Sequence, residues 1–292
     1  MLLTLPCPAK INLFLEVRGR RADRFHELGT LFAALETGET LSAEPWDRLE
    51  LVGADGVTAD PGDNLILRAA NLLQERMASR LGGSDAARGI RFSIEKKLPM
   101  GAGLGGGSSD AATALRLANQ IWNLGATDAE LQAIGGEIGS DVAFFLSAPA
   151  AYGEGRGEIL TPAPAPYPFY VVIATPQCHV ETGWAYKTLA ASLDGKYGAR
   201  WPDFKARFDR DAQNPELYRD LFNDFEAPIA AHFPKIRAVR ERLEAFAPEK
   251  AMLTGSGASL FALFRDETRA KEALAETAPF CRFSVMTRFA RG

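Results

Sequence analysis

From Pro99 the chain reads Pro99-Met100-Gly101-Ala102-Gly103-Leu104-Gly105-Gly106-Gly107-Ser108-Ser109, with five glycines among the seven positions 101–107. Without Cβ atoms, such a run lets backbone N–H groups approach a ligand closely. A helical pattern opens at Ser108, and a helix N-terminus adds unpaired N–H groups and about half a positive charge. The chemistry this suits is the holding of a polyphosphate by main chain rather than by a cluster of basic side chains. Gly101-x-Gly103-x-x-Gly106 formally meets the dinucleotide pattern. The acidic residues about 20 positions on, Asp128 and Glu130, would open a helix rather than end a strand, which argues against nicotinamide. Gly101 to Ser108 also has the frame of a phosphate-binding P-loop, but Gly107 stands where that loop needs its lysine.

Two charged residues stand out. Asp141 follows Gly139 and Ser140 at the end of a predicted helix, where a loop carboxylate could enter a cleft. Lys10 lies between Pro8 and an apolar strand rather than in a charged run. Asn12 is two residues along that strand, so its side chain points to the same face as Lys10.

These residues must be positioned by elements that the pattern predicts. Ile11, Leu13, Leu15 and Val17 alternate with Asn12, Phe14, Glu16 and Arg18, so a strand with one buried face is expected. Shorter strands are predicted near 31–35 and 48–51. Leu65, Ala69, Leu72, Leu73 and Met77 follow a helical period over 64–81, with Asp63 or Asn64 as cap. A strand over 90–96, the glycine turn and a helix over 108–122 come next. A further helix is expected over 128–138, capped by Thr127 and stopped at Gly139. The proline-rich segment 161–168 is a linker candidate. It sets expected domains of 1–165, nucleotide-binding and catalytic, and 166–292, substrate-binding. Beyond it strands at 169–174, 252–254, 260–264 and 283–289 alternate with helices at 182–191, 235–246 and 267–277. Together these predict an α+β protein of two domains. The stretch 196–211 gives only helix and loop.

The chain's 33 basic and 37 acidic residues leave a formal charge of -4, which supplies no field for nucleic acid or an anionic membrane. Cys7, Cys178 and Cys281 are three and far apart, which fits neither a disulfide framework nor a zinc site. No stretch reaches the about 20 apolar residues that cross a bilayer. The apolar start lacks a basic n-region and is interrupted by Lys10 and Asn12. A cytoplasmic protein without nucleic-acid or membrane partners is expected.

LPMGAGLGGGSSDAA closely resembles the second motif of the galactokinase, homoserine, mevalonate and phosphomevalonate (GHMP) kinase superfamily. GSDVAFFL resembles its catalytic-aspartate segment and LTGSGASLFALF its third motif. PAKINLFLEV with RADRFHEL resembles the first motif of those members that act on a cytidine-diphosphate-linked sugar alcohol. NLI at Asn64, GEGRGE at 153–158 and NDFE at 223–226 also fit. The resemblance implies a two-domain kinase fold with its site in the cleft between domains, ATP and Mg2+ as cofactors, and a small sugar-alcohol substrate. It implies Asp141 as base and Lys10 as its partner, with Asn12 orienting the substrate. Phe25 and His26 match the cytosine-recognising pair, with tyrosine in many relatives where Phe25 stands. Tyr186 is the matching second aromatic wall and Thr182 a polar contact. Residues 99–109 would cradle the phosphates, with Asn64 and Lys96 near the nucleotide and the glycines of Gly255-Ser256-Gly257 adding amides. No carboxylate pair identifies magnesium ligands; Ser108, Ser109 and Glu130 stand as unranked candidates. The rival readings are a kinase for mevalonate, homoserine or galactose, and a nucleotide-binding module without catalysis.

Overall fold

The computed structural model describes residues 1–23, 25–53, 63–81 and 89–291, with the side chain of residue 81 left out. Arg24, in the segment RADRFHEL, lies outside them. The chain forms two compact units that interleave along the sequence. One consists of Met1–Ala9, Gly38–Leu98 and Gly106–Ala148, the other of Lys10–Thr37, Pro99–Gly105 and Pro149–Gly292. Two long strands, β1 (Leu3–Arg20) and β2 (His26–Trp46), contribute residues to each.

In the first unit, residues 41–46 of β2 pair antiparallel with β4 (Gly89–Ile94), which pairs parallel with β3 (Leu49–Val52). The helices are α1 (Leu65–Arg76), α2 (Ala78–Leu81), α3 (Gly106–Trp122), α4 (Asp128–Ile138) and α5 (Ser140–Phe145). Asn64 caps α1 by accepting the Ile66 N–H at 2.9 Å. The helix predicted over 64–81 is in fact two, because Met77 leaves helical geometry (φ -108°, ψ 17°). Helix α4 falls where predicted. Thr127 accepts from the Glu130 N–H while the Glu130 carboxylate returns to the Thr127 N–H, a reciprocal cap that fixes the helix start.

In the second unit, residues 28–33 of β2 pair with β5 (Ala150–Gly155), and β5 pairs with the edge strand β6 (Ile159–Pro162). A separate antiparallel sheet runs in the order β10-β7-β9-β8. Its strands are β7 (Tyr170–Pro176), β8 (Lys250–Leu253), β9 (Leu260–Phe264) and β10 (Cys281–Thr287). The α-helices that accompany them are α6 (Thr182–Leu193), α7 (Trp201–Asp211), α8 (Glu226–His232), α9 (Pro234–Glu244) and α10 (Glu267–Thr277). Ile236, Val239 and Leu243 of α9 and Ala270 and Ala273 of α10 are buried in one core with Val172, Ala174, Leu260 and Ala262 of the sheet. Helices and strands are mixed as expected. No helix among the described residues is long and apolar enough to cross a membrane.

Strand β1 departs from expectation: Asn12, Phe14 and Glu16 are buried along with Ile11, Leu13 and Leu15. The cause is the stretch that sequence leaves without a role. Helix α7 carries Trp201, Phe204 and Phe208 on one face, and the Phe204 ring stacks on Phe14 at 4.3 Å between centroids. Trp201 lies 5.6 Å from Phe14 and donates its indole N–H to Glu154. The helix has no side-chain cap of its own. The fully buried Glu16 carboxylate supplies one, accepting the N–H groups of Arg200 at 3.0 Å and Trp201 at 2.9 Å. The second face of β1 is thus covered by a helix nearly two hundred residues later in the chain.

If α7 is part of this core, Trp201→Ala destabilises the protein by about 3–5 kcal/mol, the usual cost of truncating a buried tryptophan. Urea unfolding monitored by circular dichroism checks this; a loss below about 1 kcal/mol would show α7 to be a dispensable cover.

Candidate active site

The glycine segment leaves β4 through Lys96, Lys97 and Leu98 and enters α3 at Gly106, two residues earlier than predicted. Gly106, Gly107, Ser108 and Ser109 therefore form the helix's first turn, where N–H groups lack intrahelical partners. Upstream, Gly101, Gly103 and Gly105 take φ of +60°, +81° and +72°, separated by the buried residues Ala102 and Leu104. Ala102 and Leu104 point inward, while Gly101 is exposed and Gly103 and Gly105 are partly so. Groups from elsewhere hold the carbonyls of residues 102–104: Lys10 N–H to Leu104 O at 2.9 Å, Ser259 N–H to Ala102 O at 3.1 Å, and the Thr254 hydroxyl to Gly103 O at 3.4 Å. A Cβ on Gly103 would lie 2.4 Å from the Thr254 carbonyl oxygen, so glycine is required there twice over, by space and by conformation.

Lys10 and Asn12 meet as their spacing predicts, Lys10 Nζ donating to Asn12 Oδ1 at 2.9 Å. Both are buried, and Nζ stands 5.3 Å from the centre of the Phe32 ring. Asn12 Nδ2 donates to Thr30 Oγ1, which donates onward to the Phe14 carbonyl. The Asn12 N–H donates to Thr254 Oγ1 at 3.0 Å, so the lysine strand and the glycine loop share one hydroxyl. Asn223, of the segment NDFE, donates through Nδ2 to the carbonyls of Leu253 and Gly255, each at 2.9 Å, and accepts from the Phe225 N–H. It thereby fixes the entry to Gly255-Ser256-Gly257. Neither Thr30 nor Asn223 has a role that sequence alone reveals, since their partners are distant along the chain.

His26 stacks on Tyr186, with ring centroids 5.2 Å apart and planes 21° from parallel. Burial, aided by Arg20, lowers the His26 imidazole below its ordinary 6.5. Phe25 is 54% exposed and carries the Arg156 guanidinium 4.9 Å from its ring centre. Tyr186 is in turn braced edge-on by Phe225 at 4.8 Å. Thr182, opening α6, receives a long hydrogen bond from Ser256 at 3.4 Å. The structure therefore brings His26 together with Tyr186, and Thr182 with the third glycine turn.

In the first unit, Asp141 is not on a loop but is the second residue of α5. Gly139, ending α4, at once accepts the N–H groups of Val142 and Ala143, so a new helix starts where the sequence reads a stop. Lys96 Nζ lies between two carboxylates, 2.5 Å from Glu39 and 2.6 Å from Asp110. Burial pushes the Asp110 carboxyl up to about 7 against the opposing pull of Lys96, while Glu39, bonded to Lys96 and to backbone N–H groups, is held below its usual value despite burial. Among the described residues, Ser109 Oγ and Asp110 Oδ1 are buried without a hydrogen-bond partner, which for polar atoms usually marks a water or ligand. Glu130, a magnesium candidate, is occupied by its helix cap and by Arg80 at 2.6 Å. Among the described residues no group of three or more His, Cys, Asp or Glu is arranged to hold a metal ion.

Comparison with known proteins adds a second line. The family description "GHMP kinases N terminal domain" matches residues 64–149, and "GHMP kinases C terminal" matches residues 206–278. The chain is 38% identical over 276 residues to a 4-diphosphocytidyl-2-C-methyl-D-erythritol kinase of Hahella chejuensis, covering 94% of this chain and 89% of that one. It is likewise 38% identical over 288 residues to the kinase of the same name from Salinibacter ruber, covering 96% of each. A crystal structure of 4-(cytidine 5'-diphospho)-2C-methyl-D-erythritol kinase superposes with a TM-score of 0.81 at 30% identity, over 99% of this chain and 100% of that one. A homoserine kinase from Cytophaga hutchinsonii shares the fold at a TM-score of 0.72 and 18% identity, over 96% and 94% of the two chains.

The loop geometry separates two glycine substitutions. Gly103→Ala, strained at φ +81° and against the Thr254 carbonyl, should cost more than about 1 kcal/mol. Gly136→Ala, inside α4 with nothing within 4 Å, should stabilise by about 0.5–1 kcal/mol. Urea unfolding of the two variants in parallel reads the contrast.

Proposed function

Because this chain belongs to the GHMP kinase family, matched over both of that family's domains, we propose that it transfers the γ-phosphate of ATP to a hydroxyl of 4-diphosphocytidyl-2-C-methyl-D-erythritol, a step in non-mevalonate synthesis of isoprenoid precursors. The observation that carries this reading is the glycine segment: accessible glycines at positive φ, held from behind by Lys10, Thr254 and Ser259, leading into unpaired helix N–H groups. Relatives named for the same reaction along most of the chain support the choice of acceptor.

The chain's residues divide the work. Residues 99–109 cradle the triphosphate through the main-chain amides that follow Pro99, with Asn64 beside the nucleotide. Asp141 takes the proton of the acceptor hydroxyl as its oxygen bonds to the γ-phosphorus and the bond from that phosphorus to the bridging oxygen breaks, releasing ADP. Lys10, oriented by Asn12, offsets negative charge on the transferring group. The cytosine lies against the aromatic surfaces of Phe25 and Tyr186 while the neutral His26 imidazole bonds the base edge. Thr182 adds a polar contact. Magnesium, when bound, would neutralise charge on the phosphates. Ser108 or Ser109 would be the chain's share of its ligands, since no group of three or more His, Cys, Asp or Glu among the described residues is arranged to hold a metal ion.

The test is ADP release across a panel of the cytidylylated sugar alcohol, mevalonate, homoserine and galactose. Turnover is expected with the first alone; turnover only with mevalonate or homoserine would overturn the acceptor. Asp141→Asn should lower turnover by about 10²–10⁴. Adding Lys10→Met should then cost much less than it does alone, since groups acting as a unit are not additive.

Acid supplies an independent check on the base-recognition role. A lowered His26 pKa keeps the imidazole neutral at pH 7 and defers its protonation to somewhere below 6.5. The KM for the cytidylylated acceptor should therefore be flat from pH 8 to about 6.5 and rise below it. The KM for ATP should not follow, and His26→Gln should abolish the acid rise.

A further inference from the structure

We propose that Glu39 and Asp110, joined through Lys96, set the separation of the two ends of the phosphate loop, so that Lys96 is a positioning residue for the loop rather than a ligand of the nucleotide. The inference rests on the ATP-dependent reading above and deepens it.

The three groups sit where the loop begins and ends. Lys96 is the third residue before Pro99, and Asp110 follows Ser109 directly. Lys96 Nζ donates to Glu39 Oε2 at 2.5 Å and to Asp110 Oδ2 at 2.6 Å, joining the approach to the loop to the helix that leaves it. Glu39 Oε1 meanwhile accepts the N–H groups of Lys97 and Leu98, both at 2.8 Å. Those are the last backbone donors before Pro99, which has none. One carboxylate from β2 thus fixes the final peptide planes before the glycines. The other loop end approaches the same ammonium, since a Cβ on Gly106 would lie 3.8 Å from Lys96 Nζ.

Charge points the same way. A lysine recruited to bind polyphosphate would be expected to keep its charge for the ligand. Here two carboxylates already share it, with the side chains of Glu39 and Asp110 0% and 4% exposed. A buried carboxylate is costly in proportion to the oxygens it leaves unbonded. Both oxygens of Glu39 are used, three bonds in all. Such a group is costly to bury for stability alone, but it is well suited to hold backbone at fixed spacing.

The variants are Glu39→Ala, which removes all three bonds, and Glu39→Gln, which keeps an acceptor for the two amides and loses the ionic bond to Lys96. ADP affinity is measured by calorimetry, KM for ATP and for the acceptor by turnover, and folding by thermal melting. Glu39→Ala should weaken ADP binding and raise KM for ATP by about 10- to 100-fold, the worth of hydrogen bonds to a charged group. The acceptor KM should stay within about twofold, and Glu39→Gln should lose less than Glu39→Ala. If Lys96 bound the nucleotide directly, freeing it from Glu39 would leave ADP affinity unchanged or tighter, and that result overturns the proposal. Equal rises in both KM values would also overturn it, as a general loosening of the fold. Should Glu39→Ala not fold, Glu39→Gln decides: it must weaken ADP binding measurably and spare the acceptor KM. A wild-type protein that binds no ADP sinks the kinase reading itself; one that binds ADP with Glu39 indifferent sinks only this assignment.

Discussion

A segment made almost wholly of glycine cannot hold itself in place. It has few side chains to pack and the largest backbone entropy to lose, so every fixed carbonyl needs a donor from elsewhere. Around residues 101–105 those donors are the Lys10 amide, the Thr254 hydroxyl and the Ser259 amide. The Lys10 backbone anchors the loop while its side chain is aligned by Asn12. Loop and lysine are therefore in register by covalent necessity. Thr254 reinforces this, since the hydroxyl that meets Gly103 also accepts from the Asn12 amide.

That arrangement makes demands on β1. A strand that presents Lys10 and Asn12 cannot leave the rest of that face to water, because its polar residues would be hydrated and mobile. The chain closes it with α7, whose Trp201 and Phe204 cover Phe14 and whose N-terminus is capped by Glu16. Gly29 is part of the same fit, for a Cβ there would fall 2.4 Å from the Trp201 ring. Helix α7, which offers no motif, thus shields this face of β1 from water.

Legibility in the sequence follows the range of the physics. Helix α4 is readable because its signals are local: Thr127 and Glu130 cap one end and Gly139 closes the other. The glycine loop is readable because only glycine meets its conformational demands, and the Lys10–Asn12 pair because a strand's period is two. Strand β2 is less so: the run Glu36-Thr-Gly-Glu-Thr40 interrupts any alternation, yet the pairing partners carry the strand through as one. Helix α5 is hidden because a glycine that stops one helix can start the next. His26 with Tyr186, and Lys96 with Glu39 and Asp110, are set by partners far along the chain, and composition at either position says nothing of the other.

Fold and acceptor are decided at different levels. Kinases named for quite different acceptors share this architecture at identities too low to share most side chains, so the backbone alone cannot choose the alcohol. Phosphate recognition by main chain is well matched to that versatility, because it survives replacement of almost every side chain except the glycines. Selection must then come from side chains set away from the loop. On the proposed reading they are an exposed phenylalanine beside Arg156, an imidazole whose pKa burial lowers, and a tyrosine braced by Phe225. These offer flat apolar faces and one imidazole with a donor and an acceptor, which suit a nucleobase. A small aliphatic acid such as homoserine would leave those faces wet and that imidazole unmatched, and the penalty for leaving them so is where discrimination arises.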